Sequence, residues 1–167
     1  MNSETLKALL DLTPLTLEGG EYMETYRSRD VLTPECLPGR FRSPRALSTA
    51  IYYLLESDSF SALYRVASDE IFHFYLGDPV EMLQLWPDGS YREVLIGTDI
   101  ENGMRPQVVV PRGVWRGSRL VPGGTLALLG CTASPGFEYE DYEAGPRDLL
   151  VQQYPQARDL IYSFTRA

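Results

Sequence analysis

The sequence predicts an all-β fold, an antiparallel sandwich or barrel flanked by short helices at its two ends. Three observations predict it. First, about eight to ten short stretches alternate apolar and polar residues, the signature of half-buried strands. Second, Gly, Pro and Asp turn signals recur every ~8–12 residues, the spacing of sandwiches and barrels. Third, helical periodicity is confined to the first dozen and the last twenty or so residues.

Taken in order, residues 3–12 place Leu6, Leu9 and Leu10 on one face of a short helix, with Ser3 as N-cap and Thr13-Pro14 as its stop. After a turn at Gly19-Gly20, Tyr22, Glu24 and Tyr26 alternate with Met23, Thr25 and Arg27 in a strand pattern. Residues 31–44 carry three prolines, Gly39 and two arginines and read as a loop. Residues 47–55 (LSTAIYYLL) read as a central strand, although period alone also admits a buried helix. Residues 62–67 and 70–76 read as two strands joined by a tight bend at Ser68 and Asp69. In residues 80–96, Pro87-Asp88-Gly89 separates two apolar runs. Proline presets such a turn and glycine accepts its positive φ, so a hairpin follows. Residues 98–105 are a polar loop; 107–110, 114–120 and 125–133 are strands. Residues 147–154 and 155–164 are helical, with Pro155 at a first helical position.

The chain has 167 residues, 44% of them hydrophobic, with no internal repeat or linker, so one domain spanning 1–167 is expected. No apolar run approaches the ~20 residues of a membrane span. The first residues lack a basic stretch followed by an apolar core, so no secretory signal is expected. Cys36 and Cys131 lack metal or redox spacing, and a cytoplasmic address is the default. The net charge of −8 argues against binding nucleic acid, which needs a basic surface.

Four segments together resemble one family: LEGGEYMETYRS (17–28), SALYRVASDEIFHFYLGDPVEMLQLWPDG (61–89), PQVVVPRGVW (106–115) and LLGCTASPGFEYEDYE (128–143). The chain is similar to members of the cupin superfamily, in the small single-domain group called Cupin_5. The resemblance implies a double-stranded β-helix, a jelly-roll barrel over residues 17–143 with a pocket at one mouth, and a homodimer. Metal-binding cupins carry a first motif of two histidines, a glutamate and a glycine; here those places hold Tyr64, Val66, Glu70 and Gly77. The second motif, a proline, a glycine and a histidine, is here Pro111, Gly113 and Arg116. The turn residues are kept and three of the four ligands are replaced. Valine offers no donor atom and arginine no lone pair, so neither a metal nor another cofactor is expected.

The candidate catalytic residues are His73, Glu70 and Tyr64. His73 is the single histidine, and imidazole exchanges protons near neutral pH. Glu70, at the cupin ligand position, should face the interior, where an unpaired carboxylate is costly. Strand parity turns His73 and Glu70 to opposite faces. Candidate ligand contacts are Tyr75, Gln107, Trp115, Arg116 and Glu138. Trp115 is either a stacking wall or core, and Arg116 either pairs with Glu70 or receives a carboxylate or phosphate. Tyr22, Glu24, Tyr26 and Arg27 line either the mouth or a dimer interface. The acidic run 138–143 reads as a solvated edge, and Arg40, Arg42 and Arg45 as a solvated basic loop or an anion lid. The expected partner is a small polar metabolite of sugar or nucleotide-sugar type, bound in the pocket. By analogy with nucleotide-sugar epimerases, the expected chemistry is metal-independent proton transfer; the alternative is a binding or sensing protein without catalysis.

Overall fold

The computed structural model describes residues 2–166. The chain runs through helix α1 (Ser3–Leu9), then strands β1 (Thr13–Pro14), β2 (Glu21–Arg27), β3 (Val31–Leu32), β4 (Arg45–Ala46), β5 (Thr49–Glu56) and β6 (Phe60–Arg65). It continues through β7 (Asp69–Gly77), β8 (Val80–Leu85), β9 (Tyr91–Ile96), β10 (Gln107–Val110), β11 (Trp115–Leu120), β12 (Leu126–Ser134) and β13 (Glu143–Ala144). Helices α2 (Arg147–Gln153) and α3 (Arg158–Ser163) end it. A six-stranded sheet, ordered β1-β2-β5-β12-β7-β10, faces a five-stranded sheet, ordered β13-β6-β11-β8-β9. The strands pair antiparallel. This is the expected jelly roll with short terminal helices.

The five-stranded sheet is covered on both faces along β8, which explains why that strand reads as a nearly continuous apolar run, whereas the six-stranded sheet leaves its outer face open at β7 and β10. In β8, Val80 and Met82 point between the sheets, where they meet Tyr53, Phe72 and Leu129. Leu83 and Leu85 point outward and pack against Leu150, Ile161 and Phe164 of the C-terminal helices. Full burial of each such side chain is worth ~1.5–3 kcal/mol. On the other sheet, Leu6 and Leu12 of the N-terminal segment cover Leu54 and Leu128. The cap of α1 is Asn2, not the expected Ser3: its side chain accepts from the Thr5 amide at 2.9 Å. The 80–96 hairpin forms as its turn chemistry requires, with Gly89 at φ 86° and the Trp86 amide donating to Ser90 at 2.9 Å.

The expected pairing of residues 62–67 with 70–76 is corrected as well. Strands β6 and β7 are not a hairpin. β6 pairs with β11 and β13, while β7 pairs with β12 and β10 in the opposite sheet. The bend at 66–68 carries the chain from one sheet to the other. Two facing sheets each bury one side of their strands, so alternation is the same for a crossing as for a hairpin. The crossing has a functional consequence, because it sets Tyr64 and Glu70 on opposite walls of one interior.

Candidate functional site

A cavity of about 300 Å³ opens between the sheets. Its inner end is lined by Glu18, Tyr53, Tyr64, Glu70, Phe72 and Cys131, all buried. Its outer end is lined by Tyr22, Glu24 and Arg27 from β2 and by Phe137, Glu138 and Tyr139 from the segment before β13.

Glu18 reaches the interior because of the two glycines that follow it. Gly19 and Gly20 have φ of 109° and 76°, in the region that favours glycine. A side-chain carbon on Gly20 would stand 2.8 Å from the Leu54 carbonyl and from the Tyr53 hydroxyl. The Tyr53 hydroxyl donates to the Gly19 carbonyl at 2.7 Å, and the Ala62 amide of β6 donates to the Glu18 carbonyl at 2.8 Å. The loop is thereby pinned between the two sheets, with the Glu18 side chain facing the cavity at 7% exposure. Burial pushes its carboxyl up to about 7; the Arg116 charge and the neighbouring Tyr64 and Ser61 hydroxyls offset part of that rise.

Glu70 is also buried, but it is ion-paired with Arg116, which is 1% exposed. The same guanidinium donates to the Tyr64 carbonyl at 3.3 Å. It lies 3.3 Å from the centre of the Tyr64 ring, and Tyr142 stacks on Tyr64 with centroids 5.1 Å apart. Burial holds the Tyr64 and Tyr53 hydroxyls well above the usual phenol range, so both are neutral at pH 7. Burial likewise pushes the Cys131 thiol up to about 12, so it is not a thiolate nucleophile. The thiol donates weakly to Glu70 at 3.6 Å. The inner end thus combines one carboxyl titrating near neutrality, one carboxylate with a fixed counter-charge, and neutral hydroxyl donors.

At the outer end the charges are paired. Arg27 donates twice to Glu24, at 3.0 and 2.8 Å, and once to Glu138 at 2.6 Å. The Tyr22 and Tyr139 hydroxyls share a hydrogen bond of 2.9 Å across the opening. The strap that carries these residues is tied down from below. Arg45, 1% exposed, donates to Asp141 at 3.1 and 2.7 Å and to Glu140 at 2.5 Å. Arg65 grips Glu143 at 2.7 and 3.0 Å. The acidic run is therefore a clamped strap beside the cavity whose Tyr139, Glu140 and Glu143 stay solvent-exposed, as expected of a solvated edge, while the Asp141 side chain is buried against Arg45. Arg45 is its anchor and neither a solvated residue nor a free anion lid.

Of the residues singled out from the sequence, Tyr64, Glu70 and Glu138 line the cavity, as do Tyr22, Glu24 and Arg27, and Arg116 touches two of them, Glu70 and Tyr64, without lining it. Val66 is buried but lines a shallow surface hollow with Arg40, Arg65 and Arg112. Three residues expected in the pocket, His73, Tyr75 and Gln107, lie on the outer face of the six-stranded sheet. His73 sits opposite Gly130 and Gln107, its ring nitrogens 3.3 Å from the Gln107 amide nitrogen and 3.4 Å from the Thr132 hydroxyl. Tyr75 stacks parallel to His73, 6.5 Å away, and is half exposed. Parity is the cause: Glu70 and Phe72 take the inner face of β7, so residues 71 and 73 take the outer one. Trp115 neighbours Arg116 and so also points away from the cavity, into the core beneath the C-terminal helices. Glu18 is the residue the sequence reading missed. A glutamate ahead of two glycines gives the turn, but nothing local says that the turn is folded inward.

Among the described residues no group of three or more His, Cys, Asp or Glu side chains is arranged to hold a metal ion. At the cupin ligand positions the guanidinium of Arg116 provides the positive charge beside Glu70. No helix among the described residues is long and apolar enough to cross a membrane.

The sequence model of the family described as Cupin superfamily (DUF985), Cupin_5, matches residues 4–145. The uncharacterized protein YML079W of Saccharomyces cerevisiae is 33% identical over 134 residues, 75% of this chain; the chain spans 66% of that relative's length. A hypothetical protein from Leishmania major superposes with a TM-score of 0.89 at 31% identity, covering all of both chains. A cupin 2 conserved barrel domain protein from Rhodopseudomonas palustris superposes with a TM-score of 0.57 at 14% identity, covering 90% of this chain and 81% of that one, a likeness of fold alone.

Proposed function

We propose, from the premise that this chain belongs to the Cupin_5 family of the cupin superfamily, that its cavity receives a small polar organic metabolite and exchanges a proton with it without a metal. The observation that carries this reading is Glu18, a buried carboxyl lining the cavity and titrating at about 7. Such a group spends comparable time with and without its proton at neutral pH, which is what general acid–base catalysis asks for. Tyr64, neutral beside it, donates a hydrogen bond to an oxygen that gains charge. Glu70 and Arg116 neutralise one another and shape the wall. In this reading Glu18 takes the role first expected of His73.

A cavity of about 300 Å³ suits a molecule of monosaccharide size. The aromatic walls suit a flat or apolar face. The nucleotide-sugar part of the expectation loses support. Arg27, the guanidinium that lines the cavity, is divided between Glu24 and Glu138, and Arg116 is paired with Glu70 outside the lining, so a diphosphate meets no unpaired arginine at the cavity wall among the described residues.

The test is α-proton exchange in deuterium oxide, followed by NMR over a panel of small aldoses, ketoses and other carbonyl metabolites. We expect wash-in of deuterium with one class of compound. We expect Glu18→Gln to slow it by about 100-fold or more, the usual worth of a positioned acid–base group. Compounds that bind in the cavity without exchanging would instead assign the protein to the non-catalytic, sensing alternative. A cavity that binds no compound would end both readings.

A further inference from the structure

We propose that the guest of this cavity carries a cationic nitrogen that lodges against Glu18 within the aromatic walls. The inference rests on the reading of the cavity as the ligand site and narrows the class of molecule it accepts.

Charge is the first ground. Four carboxylates line the cavity, Glu18, Glu24, Glu70 and Glu138, together with the guanidinium of Arg27; a second, Arg116, is paired with Glu70 outside the lining. Arg27 is divided between Glu24 and Glu138. Among the described residues no cation is left for Glu18. Arg116 and Arg166 both favour its charged form through space, but neither forms an ion pair with it among the described residues, and Arg166 is exposed and donates to the Phe60 carbonyl at 3.1 Å. The remaining titratable groups around it are the neutral hydroxyls of Tyr53, Tyr64 and Tyr142 and the neutral thiol of Cys131. Ionising Glu18 without a partner is costly in a buried site, and a cation brought by the guest removes that cost.

The walls are the second ground. Tyr22, Tyr53, Phe72, Phe137, Tyr139 and Tyr142 all border the same space. Ring faces attract cations through their quadrupole, and boxes of aromatic rings are a general means of holding alkylammonium groups. An anionic guest meets the opposite conditions, with four lining carboxylates and the lining arginine, Arg27, already paired.

The experiment compares three probes of one shape: choline, its uncharged carbon isostere dimethylbutanol, and the matching carboxylate dimethylbutyrate. Binding is read from NMR shifts of cavity side chains such as Ile51 and Phe72. We expect choline to bind about tenfold or more tightly than dimethylbutanol, the scale of one charge-assisted contact, with dimethylbutyrate weakest. Glu18→Gln should abolish the preference for choline over dimethylbutanol. Calorimetry of the wild type at pH 6, in buffers of different ionisation enthalpy, should show proton release on choline binding, because Glu18 gives up its proton to pair. That measurement stands even where Glu18→Gln folds poorly. Equal binding of choline and dimethylbutanol, tightest binding of dimethylbutyrate, or choline binding with no proton release overturns the cationic guest and leaves the cavity reading intact. Failure of all three probes to reach the cavity also overturns the cationic guest, while the cavity reading stands or falls with the metabolite panel.

Discussion

Glu18 and Glu70 make an instructive pair. Both are buried, at 7% and 5% exposure, and both line the same cavity. Glu70 stands on a central strand and faces Arg116 on the opposite sheet, so its charge is matched and the two sheets are tied across the interior. Glu18 stands on a loop and has no such partner among the described residues. The same side chain in the same space therefore becomes a fixed wall in one place and a titrating group in the other. The outer end of the cavity supplies a third case. There Glu24, Glu138 and Arg27 are more than a third exposed, where ion pairs contribute little to stability. What a carboxylate does in this protein follows from its burial and its partner more than from its identity.

Breaking the matched pair should have the largest effect. Arg116→Met leaves Glu70 buried and uncompensated, which costs ~3–5 kcal/mol in urea unfolding. Adding Glu70→Leu removes the orphaned charge, and most of the loss should return. A single variant that costs under ~1 kcal/mol would mean that the pair is not a buried tie between the sheets.

The unmatched carboxyl should show itself through pH. The folded-state value of Glu18, about 7, lies above its ordinary 4.5. Between those values the folded protein holds a proton that the unfolded chain has lost. The stability this group contributes is therefore complete below pH ~4.5, falls as pH rises, and is gone above pH ~7, a loss of about 3 kcal/mol. Glu18→Gln has no such proton to lose. The wild type minus variant difference in unfolding free energy should therefore decline by that order between pH 4.5 and 8. A difference independent of pH would place Glu18 in water, and the proposed chemistry would go with it.

Much of this architecture was legible in the sequence, and what was missed has a common cause. The 80–96 hairpin is written in Pro87-Asp88-Gly89, because a two-strand turn is a local matter. Tyr64, Glu70 and Arg116 were found through motif positions, which carry three-dimensional information in their spacing. Glu18 escaped because its burial depends on Ala62 of β6 and Tyr53 of β5, some 35 to 45 residues away. Arg45 escaped for the same reason: its partners Glu140 and Asp141 lie about 95 residues on. The supposed 62–76 hairpin misled because alternation reports which side of a strand is buried and not which sheet the strand joins. His73 drew notice by being the single histidine beside acidic neighbours, yet parity alone already turned it away from Glu70.

That last residue gives the smallest predicted effect and the sharpest check on the two faces of β7. His73 is partly exposed and makes two long contacts, 3.3 Å to Gln107 and 3.4 Å to Thr132. His73→Ala should therefore cost under ~1 kcal/mol in stability. It should also leave probe binding and proton exchange in the cavity unchanged, since the β7 backbone and β12 stand between the imidazole and the interior. Glu18→Gln, made alongside it, should do the reverse, with exchange lost. Should His73→Ala silence exchange while Glu18→Gln spares it, the chemistry would belong to the outer face of the sheet, and the cavity would be an enclosed hollow with no part in it.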